Sequence, residues 1–483
     1  MTETIMGFGM SSLEILALLG AVALVLARWL PAGTRRPVTL AAGAATVLSG
    51  AVLIVLGMRW QLIPVLAGAA IALGFAVPPL LRGRTGRSAR RAPWWLALPG
   101  SAVCLGLVAG GAAAAWALPL PVFPEPSGPY AVGTTVKQWT DPDRPETATS
   151  APDDRRTVVV QLWYPSRERP ASAERARYLG RTEKESRTVA QGLADYMGMP
   201  GFLLDDVPRA HTRSVSNAAV AGEGERFPLV LFSPGLGGVR TQNTAWAEEL
   251  ASRGYVVAAL DHPYDSAVVT LADGRTIRTR IKATGDEKKD EELAAGWTAV
   301  RAADLSFVLT QLGRLDRGEI DGPFTGRLDT DRAAVTGHSI GGGAALQAAH
   351  QDSRFAAVIN LDGFPHDPAP RPFHQPALAL THPLDQGESP TYIPRLTQVL
   401  KLGTATSYQV AVTGTGHLTF TDAPLYLPPL STLVGSLGRT QGLHITVEAS
   451  AAFLDTTLRG KPDELAARLS TYGDLTVHRP DSG

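Results

Sequence analysis

The order of apolar and polar positions divides the chain into two regimes. Over the first quarter, apolar residues form four long runs, at residues 13–30, 38–57, 62–81 and 94–118, with no lysine and almost no acid inside them. Runs of this length suit helices, and each approaches the roughly 20 residues with which a helix crosses about 30 Å of hydrocarbon. A core helix of a water-soluble domain normally keeps a polar stripe, which these four lack. Further along, the apolar runs become short, at 158–163, 228–232, 255–260, 333–336, 355–361, 377–380 and 408–412. Many are continuous instead of alternating, the pattern of strands covered on both faces. Helical periodicity separates several of them, at 244–252, 294–312, 342–350 and 450–459. This predicts a mostly parallel sheet with crossover helices. Residues 267–271 and 275–279 flank Asp273-Gly274, a hairpin signal.

The charges beside the long runs predict an orientation. Arg35 and Arg36 lie between the first two runs and Arg82, Arg84, Arg87, Arg90 and Arg91 between the last two, whereas the second connection holds only Arg59. Basic connections stay cytoplasmic, so the amino terminus and everything after residue 118 are expected on the outer side. Trp94, Trp95 and Trp116 suit the two interfaces of the fourth span. A secretory signal would supply one such run, not four. Residues 119–129 are rich in proline and read as a stiff spacer. The expected organisation is a four-span transmembrane region over 1–120, a linker and the start of the outer domain over 121–150, and the main globular domain over 151–483.

Composition narrows the classes of partner. Lysine plus arginine and aspartate plus glutamate number 45 each, with no basic stripe beside aromatics, so nucleic-acid binding has no electrostatic footprint. The single cysteine, Cys104, lies in an apolar run, which rules out a disulfide within the chain and a cysteine-based metal site. The charged stretch 286–292 reads as a solvated helix start. The lipid bilayer is the one partner that composition implies, and the oligomeric state stays open.

Candidate chemistry centres on Gly337-His338-Ser339-Ile340-Gly341, set between the run 333–336 and the small-residue helix pattern that follows. A serine there would sit on a strained strand-to-helix turn with its hydroxyl above the sheet. With 49 glycines in 483 residues the five-residue pattern alone carries little weight, so partners must support it. Among the ten histidines, His417 follows the run 408–412 through Gly414-Thr415-Gly416, a turn able to carry an imidazole to the carboxyl edge of the sheet. His444 reads as a packing residue, His338 as structural, and His366, His374 and His382 as rim residues near prolines. Two carboxylates are possible as the orienting acid: Asp362 directly follows the run 355–361, and Asp385 follows the run 377–380. Spacing leaves both open. For an oxyanion, the amides of Ile340, after the serine, and of Leu236, in the loop Ser233-Pro234-Gly235-Leu236-Gly237-Gly238, are the expected donors. Residues 196–204, with Met197, Met199, Phe202 and Leu203, would pack normally or form an apolar lip.

These residues resemble a known family. Phe232-Ser233-Pro234-Gly235-Leu236-Gly237-Gly238-Val239-Arg240, the stretch from Gly254 to His262, Gly337-His338-Ser339-Ile340-Gly341-Gly342, Leu361-Asp362-Gly363 and Gly416-His417 look like the platelet-activating-factor acetylhydrolases. The likeness includes Gly128 to Gly133 and Trp163-Tyr164-Pro165 and covers nearly all of the outer part, but not the spans, which resemble a module fused to bacterial members. It implies an α/β hydrolase fold behind an all-α membrane region, with Ser339, His417 and Asp362 as a catalytic triad and no cofactor or metal. It also implies short-chain acyl esters, including phospholipids, as substrates; together with the four runs and their flanking arginines, the expectation is a multi-pass protein of the bacterial plasma membrane with an extracytoplasmic catalytic domain. Related cutinases place the acid later, which would select Asp385 and a polyester or cell-envelope ester. A further alternative is a sensor or transport module carrying a degenerate hydrolase. One departure stands out: the family commonly has histidine where this chain has Pro234.

Overall fold

A computed structural model of the chain describes residues 4–5, 9–84, 93–167, 174–281, 284, 286–383, 390–461 and 464–480. The chain divides into two compact units, Met1–Pro121 and Val122–Gly483.

The first unit is helical, with α1 (Ser12–Ala27), α2 (Ala32–Leu56), α3 (Leu62–Arg84) and α4 (Trp94–Ala117). Two of these, Ala32–Leu56 and Trp94–Ala117, are long and apolar enough to cross a membrane, while Ser12–Ala27 and Leu62–Pro78 are shorter apolar helices. The unit has an apolar interior but lacks the polar outer surface of a water-soluble bundle. Leu48, Ile54, Val55, Trp94 and Trp95 face outward, while Glu14, Thr46, Ser49, Arg59 and Gln61 are buried. Close helix contact requires small residues: a Cβ on Gly68 of α3 would lie 2.8 Å from the Cys104 carbonyl of α4. Arg59 donates to the carbonyls of Gly9 at 2.8 Å and Leu118 at 2.9 Å. The start of the bundle, its second connection and its exit therefore lie at one end.

The second unit is built on one sheet, eleven-stranded among the described residues. Its strands are β1 (Ala131–Pro145), β2 (Arg155–Ser166), β3 (Arg175–Arg177), β4 (His211–Ser216), β5 (Phe227–Ser233), β6 (Val256–Asp261), β7 (Leu328–His338), β8 (Phe355–Leu361), β9 (Ala377–Thr381), β10 (Ser407–Ala411) and β11 (Asp474–His478). Their spatial order is β11-β10-β9-β8-β7-β5-β6-β2-β1-β4-β3. The block from β10 to β6 is parallel throughout, and β11 and β2 flank it antiparallel. Every residue of β5, β6 and β9 is buried, which is why their sequences are continuous apolar runs. The helices are α5 (Glu183–Tyr196), α6 (Thr244–Ser252), α7 (Glu287–Asp316), α8 (Ile340–Gln351), α9 (Tyr392–Leu400) and α10 (Gln441–Arg459), with shorter turns between. Asp286 caps α7, its side chain accepting from the Lys289 amide at 3.0 Å, so the charged stretch is a helix start. The hairpin pairs Thr270 with Thr276 around Gly274, whose φ of 85° suits glycine.

Register brings the parallel strands to a common edge. Gly337 lies beside Ser233, His338 beside Leu361, Leu361 beside Leu380, and Leu380 beside Val410. The residues just past each strand thus meet on one side of the sheet, where parallel α/β sheets place their sites.

Candidate active site

Ser339 occupies the turn between β7 and α8 with φ 56° and ψ −130°, a conformation that costs a non-glycine residue energy and persists only where surroundings impose it. The surroundings are specific. Its N–H donates to the Leu361 carbonyl at 2.9 Å, and its carbonyl accepts from Gly342 and Gly343 at 2.8 and 3.2 Å. A Cβ on Gly341 would lie 2.1 Å from the Ser233 carbonyl oxygen, so only glycine lets the loop after β5 lie against the elbow.

Asp362, one residue past β8, also has a positive φ of 55°. Asn360 pins that turn, accepting from the Gly363 amide at 2.6 Å and donating to its carbonyl at 2.8 Å. The carboxylate is fully buried and receives four donors. His417 Nδ1 and His382 Nδ1 each donate to Oδ2 at 2.6 Å; the His382 amide and the Tyr392 hydroxyl each donate to Oδ1 at 3.1 Å. Burial alone would raise its pKa, but the hydrogen bonds from His382 and His417 outweigh it and hold the carboxyl well below the usual carboxylate range.

His417 opens a short helical turn, His417–Phe420, its side chain 42% exposed while the Asp362 carboxylate is sealed. A hydrogen-bonded relay ties it to the loop after β5. The Gly235 amide donates to Gln242 Oε1 at 3.0 Å, Gln242 Nε2 donates to His338 Nδ1 at 2.9 Å, and His338 Nε2 donates to the His417 carbonyl at 2.9 Å. The His338 and His417 rings pack against each other with centroids 4.6 Å apart and planes tilted by 39°. Burial, then the neighbouring His417, pushes His338 down to about 3, so it stays neutral and keeps this one tautomer.

The expected oxyanion donors lie where the chain order placed them. Ile340 begins α8, and Leu236 follows Gly235, whose added Cβ would approach Ser339 Cβ to 3.4 Å. Among the described residues, neither the Leu236 nor the Ile340 amide has a hydrogen-bond partner in the protein. Pro234 contributes a carbonyl that accepts from Arg301.

Two readings of the histidines change. His382 is not on the rim but buried, sharing the carboxylate with His417, because β9 ends at Thr381 and carries it onto the sheet edge. His338 is internal as expected, yet it braces His417 through its carbonyl. His444 lies exposed on α10. Asp385 lies outside the described residues. Along residues 196–204, Met197 and Phe202 are exposed, and the Tyr196 ring covers Gly237 of the loop after β5.

Asp362, His382 and His417 place one ligand atom each within 4.8 Å of one another, a grouping a metal ion could use. Here both Nδ1 atoms spend their protons on the carboxylate, so a cation would have to displace both. The arrangement is suited instead to orienting a neutral imidazole whose Nε2 accepts a proton.

Residues 120–465 match the family model of platelet-activating factor acetylhydrolase, isoform II. Among curated relatives, a probable 1-alkyl-2-acetylglycerophosphocholine esterase of Arthroderma benhamiae is 27% identical over 248 residues, 50% of this chain and 59% of that one. The platelet-activating factor acetylhydrolase of Canis lupus familiaris is 30% identical over 264 residues, 50% of this chain and 55% of that protein. The chain thus spans little more than half the length of these relatives. A solved ferulic acid esterase from Streptomyces cinnamoneus aligns with a TM-score of 0.58 and 29% identity, covering 74% of this chain and 98% of its own. The mostly parallel sheet and this neighbour fit the α/β hydrolase fold. The match over residues 120–465 shows that the chain belongs to the platelet-activating factor acetylhydrolase, isoform II, family.

Proposed function

We propose that the unit Val122–Gly483 is a serine carboxylester hydrolase for short acyl groups, carried by a four-span membrane region. The observation that carries the reading is the positive-φ Ser339 between β7 and α8, set on the same sheet edge as His417 with its Nδ1 2.6 Å from Asp362. In this reading Ser339 Oγ attacks the ester carbonyl while its proton passes to His417 Nε2. The Leu236 and Ile340 amides receive the negative charge that develops on the carbonyl oxygen. Collapse breaks the ester bond, and the alcohol leaves with the proton from His417. Water then gives its proton to His417 and attacks the acyl-serine, and the returning proton frees Ser339 and a carboxylic acid. Asp362, kept ionised, holds His417 Nδ1–H and stabilises the imidazolium.

The relatives' names support acetyl esters of glycerophospholipids as substrates, and the exposed Met197 and Phe202, in the segment that follows Tyr196, suit an amphiphile. The ferulic acid esterase neighbour favours a second reading, aromatic acyl esters. Comparing turnover of p-nitrophenyl acetate, longer p-nitrophenyl esters, a 2-acetyl phospholipid and a methyl hydroxycinnamate decides between them. Activity falling steeply beyond short chains is expected; equal turnover of long chains contradicts the short-acyl reading. The outward apolar faces of α1 to α4 support the membrane assignment, and the arginines of the first and third connections favour the second unit on the outer side. Single cysteines introduced at positions 88 and 126, in a background lacking Cys104, test it. Only position 126 should react with an impermeant maleimide added to intact cells.

A further inference from the structure

Arg301 lies in the middle of α7 with its side chain fully buried, yet none of its hydrogen bonds goes to Ser339, His417 or Asp362. Its guanidinium reaches the other partner of the elbow. Nε and Nη2 donate to Asp265 at 2.6 and 2.5 Å, Nη1 donates to the Pro234 carbonyl at 2.5 Å, and Nη2 donates to the Gly235 carbonyl at 3.1 Å. A trans peptide directs its N–H opposite to its C=O, and there is no cis peptide among the described residues. Drawing the Gly235 carbonyl toward Arg301 therefore turns the Leu236 N–H to the opposite face of the loop. The amides of Gly235 and Gly238 are bonded, to Gln242 and to the Gly235 carbonyl, while that of Leu236 is left open among the described residues.

The clamp is itself braced. Arg301 Nη1 also donates to Ser233 Oγ at 3.2 Å; Ser233 Oγ donates to His262 Nε2 at 2.9 Å, and His262 Nδ1 donates to Asp304 Oδ2 at 2.7 Å. Arg156 holds that carboxylate through Nη2 at 2.6 Å. This second serine, histidine and aspartate relay is sealed from solvent, so it serves as a strut under the loop. Arginine suits the role because its planar fork can hold two carbonyls and a carboxylate at once, which a lysine ammonium cannot.

Resting on the esterase reading above, we infer that Arg301 is a positioning residue of acyl transfer: it holds back the Pro234 and Gly235 carbonyls so that the Leu236 N–H faces the oxyanion formed at Ser339. A residue that only anchors α7 would affect folding without distinguishing transition state from ground state. The test uses the full chain in detergent with Arg301→Lys, and with Asp265→Asn, which leaves the guanidinium but loosens it. Loss of one oxyanion donor costs roughly 100- to 1,000-fold in kcat, and a misaimed donor should cost about 10- to 100-fold. For p-nitrophenyl acetate, kcat should fall by that factor with KM changed by less than about threefold. Inhibition by a trifluoromethyl ketone, which adds the serine and forms an oxyanion, should weaken by the same factor, while a plain ketone of equal length binds as before. Unchanged kcat and ketone discrimination in folded Arg301→Lys, or equal losses for both ketones, overturns the inference. Should Arg301→Lys not fold, Asp265→Asn decides: a smaller shift in the same sense supports the inference, and none overturns it. A wild-type chain without esterase activity would instead contradict the proposed function.

Discussion

Replacing Asp362 by asparagine exchanges one oxygen for an NH2 group, which removes the charge and turns an acceptor of the site into a donor. In the native arrangement both carboxylate oxygens accept, Oδ2 from the two imidazole Nδ1–H groups and Oδ1 from the His382 amide and the Tyr392 hydroxyl. An asparagine can keep its oxygen toward the His382 amide and Tyr392, which directs its NH2 at two N–H donors. His417 escapes that conflict by moving its proton from Nδ1 to Nε2, the nitrogen that must accept from Ser339. The wrong tautomer, with loss of the charge that stabilises the imidazolium, lowers turnover by about four orders of magnitude in triads of this kind. That is about 5.5 kcal/mol of transition-state stabilisation at 1.36 kcal/mol per decade. Steady-state hydrolysis of p-nitrophenyl acetate by Asp362→Asn and Asp385→Asn, each checked for a native melting transition, reads the difference. The expected outcome is a loss near ten-thousand-fold for Asp362→Asn with KM nearly unchanged, and a small effect for Asp385→Asn. Full activity in folded Asp362→Asn, with loss confined to Asp385→Asn, would refute the reasoning.

Other perturbations probe the supports of the site. Gly341→Ala would force a Cβ to 2.1 Å from the Ser233 carbonyl and 2.5 Å from that of Pro234, parting the loop from the elbow. A fall in kcat of at least about tenfold and a destabilisation of about 1–3 kcal/mol are expected from activity and denaturant titration. Glu248 is buried and accepts three hydrogen bonds on Oε1 from Arg213 and Ser214; burial raises it from 4.5 to about 7 against those bonds. The folded state therefore holds a proton that the unfolded state releases, so stability present below the ordinary value is lost as pH rises from about 4.5 to about 7. Glu248→Gln should flatten the melting temperature between pH 5 and 8, and an unchanged slope would contradict this. Residues 122–483, expressed alone, should fold and hydrolyse p-nitrophenyl acetate at a rate near that of the full chain, since the sheet and its core belong to this unit. An insoluble or inactive fragment would show that the helical unit is needed.

The parallel centre of the sheet was legible because its strands are buried on both faces and so read as continuous apolar runs. The strand expected at 355–361 occupies those residues, and β5, β6, β9 and β10 differ from expectation by a residue or two at their ends. The edges were less legible. β1 and β4 mix buried with exposed positions, β11 has no fully buried residue, and no uniform apolar run announces them. At the site, the serine turn carried a local signature, but His382 did not, since its neighbouring proline suggested a loop while its burial depends on where β9 ends. Arg301 also leaves a trace in the sequence. It lies on the stripe of α7 formed by Thr298, Ala302, Leu305 and Leu309, all buried, and an arginine there calls for an acidic partner and a reason.

Whether Ser339 is the nucleophile is the claim on which the rest depends. The direct measurement is peptide mapping after treating the full chain with a fluorophosphonate probe, alongside p-nitrophenyl acetate turnover, in wild type and Ser339→Ala. The account predicts one modified site, at Ser339, with labelling and turnover both lost in the alanine variant. Labelling at another residue, or turnover retained in Ser339→Ala, would contradict it.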